Sequence, residues 1–118
     1  MSVENCIDYI EIPVTDPGKV RDFFVALFGW EFQEWGADYF SFNDGRLAGG
    51  LRRSDEPAPA SGVLLVFYSE NLERDIQRIT NLGGSISQAT YDFPGGRRFH
   101  FVDPTGNEYA MWAAPATE

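Results

Sequence analysis

Residues 14–32, VTDPGKVRDFFVALFGWEF, and residues 68–86, YSENLERDIQRITNLGGSI, decide the fold because they carry one pattern twice. In each copy an apolar strand ends at polar residues, an amphipathic helix follows, glycine stops the helix and another strand begins. The copies are offset by 54 positions, from Asp16 to Glu70. A repeat of this length predicts a supersecondary unit that buries its apolar face by packing with its twin.

Capping residues set the helix boundaries. Asp16 is a good N-cap and Gly29 suits the left-handed position after a last turn, so the first helix is predicted over 17–28. Its apolar residues recur with helical spacing and form an aromatic stripe that must lie on a sheet. The second helix is predicted to begin after Ser69 or Asn71.

Strands are predicted before each helix, at residues 7–14 and 62–68, where apolar residues run almost without interruption. Residues 88–97 are polar and contain Pro-Gly-Gly, which predicts a loop between strands. The segment 52–61 is polar, proline-rich and without pattern, as expected of a connection between modules.

The chain of 118 residues is therefore predicted to be a single domain, 1–118. Module one covers about residues 5–52, a linker about 53–61 and module two about 62–115.

Composition limits the cellular compartment and the classes of partner that are expected. Eighteen acidic against nine basic residues give a net charge of −9, which repels phosphate backbones and anionic lipid head groups, so neither nucleic acid nor membrane is expected as a partner. Glu4 and Asp8 stand where a signal peptide needs basic and then apolar residues, which favours a cytoplasmic protein. The single Cys6 cannot form an internal disulfide and is expected to be a small buried side chain.

Four segments in this order resemble the vicinal oxygen chelate superfamily, which includes glyoxalase I, bleomycin-resistance proteins and extradiol dioxygenases. They are the strand 9–14 with Asp16, Phe28-Gly29-Trp30, Leu82-Gly83-Gly84, and the turn Asp103-Pro104-Thr105-Gly106-Asn107. The small glyoxalase-related members also share Gly49-Gly50-Leu51. The resemblance implies an α+β fold of two βαβββ modules, with curved mixed sheets around a cleft, as in the glyoxalase, bleomycin-resistance and dihydroxybiphenyl dioxygenase proteins.

The resemblance also implies four ligand positions for a divalent metal. In this chain they fall on Tyr9, Val63, Ala110 and on or next to Gly49. Valine, alanine and glycine have no side-chain donor, and a neutral tyrosine is a poor ligand for Mn, Ni, Zn or Fe. We therefore expect no metal at the usual centre and no other cofactor.

Glu11, Glu108 and His100 are the candidate catalytic residues. Strand alternation puts Glu11 on the face of Tyr9, and Glu108 on the face of Trp112. Carboxyl groups in a semi-apolar cleft suit general acid or base work; the alternative is that they lie at strand ends in water. His100, on a strand face opposite apolar neighbours, is either a third such group or a structural histidine. These three residues also leave open a different divalent-metal site.

Tyr9, Phe67 and Trp112 are the candidate ligand-binding residues, because alternation sends them to the cleft side. Aromatic walls with the carboxylates of Glu11 and Glu108 suit a planar or cationic organic molecule, through stacking and cation–π attraction. The alternative is that these rings fill the cleft themselves.

Three function classes remain open. The favoured one is a glyoxalase-related protein that binds a small organic molecule and lacks the usual metal centre. The second is a metal-independent isomerase or lyase that uses Glu11, Glu108 or His100 as acid and base. The third is a non-catalytic interaction module with a filled cleft. Exposed sheet edges and the family resemblance predict a homodimer in every case.

Overall fold

The computed structural model describes residues 2–115. The chain divides into two compact units, the first ending at Pro57 and the second starting at Ala58. Each unit is a strand, a helix and three further strands in chain order. The predicted α+β architecture of two βαβββ modules is confirmed. Neither helix within 2–115 combines the length and apolar character needed to cross a lipid bilayer.

Unit one forms a mixed four-stranded sheet with one helix. Its elements are β1 (Tyr9–Val14), α1 (Pro17–Phe28), β2 (Glu31–Glu34), β3 (Tyr39–Asn43) and β4 (Ala48–Arg53). The strand order is β1-β4-β3-β2, in which β1 runs parallel to β4 and the other pairs are antiparallel.

Helix α1 has the boundaries that its capping residues predict. Asp16 accepts a hydrogen bond from the backbone N–H of Lys19 at 3.1 Å, and Gly29 ends the helix in the left-handed conformation at φ 75°. The aromatic stripe of α1 packs on the sheet. Trp30 stacks on Phe24 at 4.4 Å and on Phe42 at 4.7 Å, and so joins helix and sheet in one core.

Unit two repeats the arrangement. Its elements are β5 (Val66–Tyr68), α2 (Leu72–Asn81), β6 (Ser85–Phe93), β7 (Gly96–Val102) and β8 (Glu108–Ala113). The strand order is β5-β8-β7-β6, with β5 parallel to β8.

The core of unit two lies between α2 and one face of this sheet. Asn71 is the N-cap of α2 and accepts from the N–H of Arg74 at 3.0 Å. The buried carboxylate of Asp75 accepts a short hydrogen bond from the Ser69 hydroxyl and also meets the guanidinium of Arg74 at 3.1 Å. The sheet contributes fully buried side chains, among them Phe99, Phe101, Tyr109 and Met111.

Asp103 organises the turn before β8. Its carboxylate accepts hydrogen bonds from the Thr105 N–H and hydroxyl, both at 2.7 Å, and from the Tyr109 hydroxyl at 2.7 Å. Gly106 has φ 106°, in the region that favours glycine. Every one of these bonds is internal to unit two, so the segment acts as the structural turn that its residues predict.

Three local expectations are wrong. Residues 88–97 are not a loop, because β6 and β7 form a hairpin with a turn only at Pro94 and Gly95. The strand before α2 spans three residues, 66–68, rather than seven. Cys6 is exposed and lies outside any strand, whereas a buried side chain was expected.

Candidate functional site

Each sheet packs one face on its helix and turns the other face away from it. We call this second face the helix-free face. In unit one, period-two alternation from the buried residues Ile12 and Leu51 assigns the side chains of that face. Among them are Tyr9, Glu11, Tyr39, Ser41 and Arg52, together with the position of Gly50.

Two tyrosines meet over a glycine on the helix-free face of unit one. The hydroxyls of Tyr9 and Tyr39 share a short hydrogen bond. A Cβ at Gly50 would lie 2.0 Å from the Tyr39 hydroxyl oxygen and 2.6 Å from that of Tyr9, so only glycine leaves room for the pair. Burial raises the pKa of Tyr39 well above its ordinary value, and hydrogen bonds to Tyr9 and Glu11 raise it further.

Glu11 lies beside this pair, on the face where alternation places it. Its carboxylate accepts from Arg52 Nε at 3.1 Å, and both side chains are about half exposed, at 45% and 51%. On the same face, but separate from Glu11, the indole N–H of Trp35 donates to the Ser41 hydroxyl at 2.9 Å. The charge of Glu11 is therefore paired and partly solvated, and is not an isolated carboxylate in an apolar wall.

Three rings form an aromatic patch on the helix-free face of unit two: Tyr68, Phe93 and Trp112. The Trp112 ring lies 5.1 Å from that of Tyr68 and 6.4 Å from that of Phe93, at interplanar angles of 64° and 65°. Tyr68 is 54% exposed, and Trp112 and Phe93 are half-buried.

A polar cluster adjoins this patch on strands β6, β7 and β8. His100 is its centre: Nδ1 lies 3.4 Å from a carboxylate oxygen of Glu108, and Nε2 lies 3.1 Å from Arg98 Nη2 and 3.2 Å from the Tyr91 hydroxyl. The same oxygen of Glu108 accepts from the Ser87 hydroxyl at 2.9 Å. Both carboxylates of the predicted site thus have partners in their own unit.

The partners of His100 assign its proton. A guanidinium has donors and no acceptor, so the hydrogen bond from Arg98 requires a lone pair on Nε2. In the tautomer that offers this lone pair, the ring proton lies on Nδ1, toward Glu108. In this arrangement the Nε2 lone pair is already engaged, and a substrate proton could reach it only after Arg98 moved away.

The residues at the family's metal positions do not fit a metal. Gly49 faces the core, where a Cβ would lie 2.4 Å from the Ile10 carbonyl and 2.4 Å from the Phe42 ring. Ala110 is fully buried, and Val63 is 90% exposed. Between residues 2 and 115 no group of three or more His, Cys, Asp or Glu side chains is placed to hold a metal ion.

Phe67, a candidate ligand-binding residue, does not lie on the helix-free face. It pairs with Met111 in the β5–β8 ladder, so its ring points to the helix-packed side, 6.2 Å from Phe101 and 5.8 Å from Tyr109. Tyr68, the next residue, pairs with Trp112 and takes the place that was expected of Phe67. The sequence-based placement was wrong by one position, which reverses the face of a strand residue.

Sequence reasoning also missed Tyr39, Arg98 and Tyr91. Arg98 lies two residues before His100, and the alternation that placed His100 could have found it. Tyr91 lies in the stretch that was predicted as a loop. Nothing in the sequence pairs Tyr39 with Tyr9, because that contact depends on β4 lying between β1 and β3.

A separate depression of about 670 Å³ lies at the N-terminal edge of unit one. Its lining includes Cys6, Asp8, Asp44 and Arg46. Tyr9, one member of the tyrosine pair, also contributes to it. The depression therefore adjoins the tyrosine pair and shares no residue with the polar cluster of unit two.

Comparison with known proteins places these observations in a family. Residues 6–111 match the model of the Glyoxalase/Bleomycin resistance protein/Dioxygenase superfamily. The anthracycline biosynthesis protein DauV of Streptomyces sp. (strain C5) is 24% identical over 114 residues, covering 92% of this chain and 42% of DauV. DnrV of Streptomyces peucetius, also an anthracycline biosynthesis protein, gives the same values. The chain spans about two fifths of the length of these relatives.

Solved structures show the same fold at low sequence identity. The fosfomycin resistance protein FosX of Listeria monocytogenes has a TM-score of 0.80 at 18% identity, covering 95% of both chains. TioX of Micromonospora sp. ML1 has a TM-score of 0.69 at 21% identity, covering 93% of this chain and 99% of TioX. A family enzyme of Burkholderia phytofirmans PsJN has a TM-score of 0.79 at 15% identity, covering 92% of this chain and 99% of that one.

Proposed function

Because this chain belongs to the Glyoxalase/Bleomycin resistance protein/Dioxygenase superfamily, we propose that it binds a planar organic molecule, and that it does so without the usual metal centre. The observation that carries the proposal is the aromatic patch of unit two, formed by Tyr68, Phe93 and Trp112. The lack of a side-chain donor at Gly49, Val63 and Ala110 supports binding without the usual metal centre.

The geometry of the patch suits such a ligand. Its rings meet at steep angles, so they present surfaces of different orientation to a planar molecule, which can stack on one ring and meet another with its edge. Polar groups beside an apolar wall can fix the orientation of the bound molecule. The names of DauV and DnrV add support, since an anthracycline is a planar aromatic compound.

A metal-independent isomerase or lyase is the second candidate. The contacts of His100 favour this class. The Glu108 carboxylate lies beside its Nδ1 and the Tyr91 hydroxyl lies beside its Nε2, and acid–base catalysis uses groups of these kinds. Glu11 lies in the other unit and is paired with Arg52. Turnover of a bound compound that is lost in both His100→Gln and Glu108→Gln would establish this class; retention of turnover in either would exclude that residue as the acid or base.

The test of binding is a screen of planar aromatic compounds by titration calorimetry, with two matched tryptophan variants. Trp112→Leu removes the centre of the patch, whereas Trp35→Leu removes a tryptophan of unit one that is 61% exposed. We expect Trp112→Leu to weaken a bound compound about five-fold or more, from the lost ring contact, and Trp35→Leu to leave its affinity unchanged. A screen without any bound compound, or equal effects of both variants, would refute the proposal.

A further inference from the structure

Arg98 differs from the other arginines of unit two in its charge environment. Arg74 and Arg78 lie within ion-pair distance of Asp75, and Arg97 lies 3.2 Å from Glu73. Throughout residues 2–115 no carboxylate comes within 4.0 Å of the Arg98 guanidinium. A cation without a counter-ion, set among half-buried side chains, is an attractive position for an anion.

Arg98 also stands directly beside the aromatic patch. In the β7–β8 ladder it pairs with Trp112, so the two side chains are neighbours on the helix-free face. In the β6–β7 ladder it pairs with Tyr91, whose ring centre lies 5.8 Å from the guanidinium carbon. A substituent on a molecule that contacts Trp112 is therefore within reach of Arg98.

The guanidinium is oriented before any ligand arrives. His100 Nε2 holds Nη2 at 3.1 Å, and the Tyr91 ring lies against the planar group. The buried Nε atoms of Arg97 and Arg98 both lack a hydrogen-bond acceptor, so it is the contacts with His100 and Tyr91 that are particular to Arg98. A side chain that is fixed in place but unsatisfied loses little conformational entropy when a ligand binds.

The two glutamates do not compete for this role. Glu11 is paired with Arg52 in unit one, and Glu108 has Ser87 and His100 as partners. Of the charges in the polar cluster, the one that pairs with Trp112 in the β7–β8 ladder is positive. The local chemistry therefore opposes the sequence-based expectation of a cationic ligand.

We propose that Arg98 is the specificity-determining residue of the aromatic site, and that it binds a carboxylate or phenolate group of the planar ligand. The proposal rests on the proposed function and adds the charge of the ligand to it. A planar oxyanion matches the fork of the guanidinium, and the aromatic rings take the rest of the molecule. His100 is then a positioning residue, because it acts on the ligand only through Arg98.

The experiment compares three probes of one shape on the full chain: naphthalene-2-carboxylate, its neutral carboxamide, and the cationic naphthalene-2-methylammonium. Titrations are made near physiological ionic strength, where long-range repulsion of anions by the net charge of −9 is largely screened. We expect the carboxylate to bind about ten-fold more tightly than the carboxamide, and the ammonium compound to bind most weakly.

Three variants locate the preference. Arg98→Met should bring the carboxylate and carboxamide affinities to within about two-fold, and Arg98→Lys should retain only part of the preference because lysine lacks the fork. Arg97→Met is the control, since it removes the same charge from the next residue, which faces the opposite side of β7. The control should keep the full preference.

The outcomes separate the two proposals. Equal binding of the three probes to the unaltered protein, or a preference that survives in Arg98→Met, overturns the role of Arg98 while aromatic binding stands. If Arg98→Met does not fold, as judged by circular dichroism, an undiminished preference in Arg98→Lys overturns it instead. A preference that depends on Arg98 but is unaffected by Trp112→Leu refutes the aromatic site and supports Arg98 alone. Failure of all probes to bind the unaltered protein refutes both.

Discussion

Replacing Gly50 by alanine should destabilise unit one, because the new methyl group would occupy the place of two hydroxyls. The Cβ would lie 2.0 Å from the hydroxyl oxygen and 2.4 Å from Cζ of Tyr39, and 2.6 Å from the Tyr9 hydroxyl oxygen. Contacts this short force both rings to move and break the hydrogen bond between them. Gly50 has no positive φ, so backbone strain does not enter the comparison.

The magnitude follows from three contributions. Overpacking of this kind costs about 1–3 kcal/mol. Loss of the tyrosine hydrogen bond adds about 1 kcal/mol. Alanine recovers about 0.5–1 kcal/mol because it restricts the unfolded chain more than glycine does. We expect Gly50→Ala to lower the free energy of unfolding by about 1–3.5 kcal/mol.

Urea unfolding followed by tryptophan fluorescence measures this change, with Trp30 as the buried probe of unit one. Gly18→Ala is the matched control, because its Cβ would meet only ordinary contacts at 3.6 Å and beyond. Tyr39→Ala removes the ring that obstructs the methyl group, so the double variant with Gly50→Ala should be less destabilised than the sum of the two single variants. A Gly50→Ala protein as stable as the unaltered one, or strictly additive effects, would show that the tyrosines do not meet over Gly50.

Three further predictions concern the whole chain. The pKa of Tyr39 is raised chiefly by burial, and that of Tyr109 by burial and by the charge of Asp103, so the folded state holds both protons more tightly than the unfolded state. The stability that these two protonated tyrosines contribute should therefore be fully present below a pH of about 10 and be lost as the pH rises above it. In a spectroscopic titration their tyrosinate absorbance should appear after that of the other tyrosines. Titration of all five tyrosines in one early step would contradict this. Protein purified without added metal should hold less than one equivalent of Mn, Ni, Zn or Fe by elemental mass spectrometry, and a full equivalent that survived dialysis would reveal a site at other residues. Light scattering should report a homodimer, and a mass near 13.3 kDa at micromolar concentration would exclude it.

Local signals in the sequence were sufficient for α1 and for the turn before β8. Asp16 and Gly29 define the ends of α1 through contacts within a few residues, and Asp103 organises its turn in the same way. Such features depend on short-range chemistry that a sequence displays directly. The succession of one strand, a helix and three further strands in each unit followed from the repeat and the family resemblance.

The candidate site was harder to predict because it depends on register. Strand β6 is an edge strand with register shifts between Ile86 and Gln88 and between Gln88 and Tyr91, so its residues show no clean alternation. Phe67 was assigned to the wrong face since three residues of β5 are too few to fix its phase from sequence. The pairing of Arg98 with Trp112 becomes visible only when β7 and β8 are aligned.

The two units carry different side chains at corresponding positions of the same repeated fold. Arg52 and Trp112 each lie on the helix-free face, in the strand that runs parallel to the first strand of its unit. One copy carries a paired charge at this place and the other an aromatic ring, although the scaffold beneath them is the same. Since each set of contacts closes within its own unit, a substitution on one face leaves the other copy's ladder intact. Selection can then alter recognition in one half while its twin keeps the original architecture, which is a route by which a repeated fold acquires new ligands.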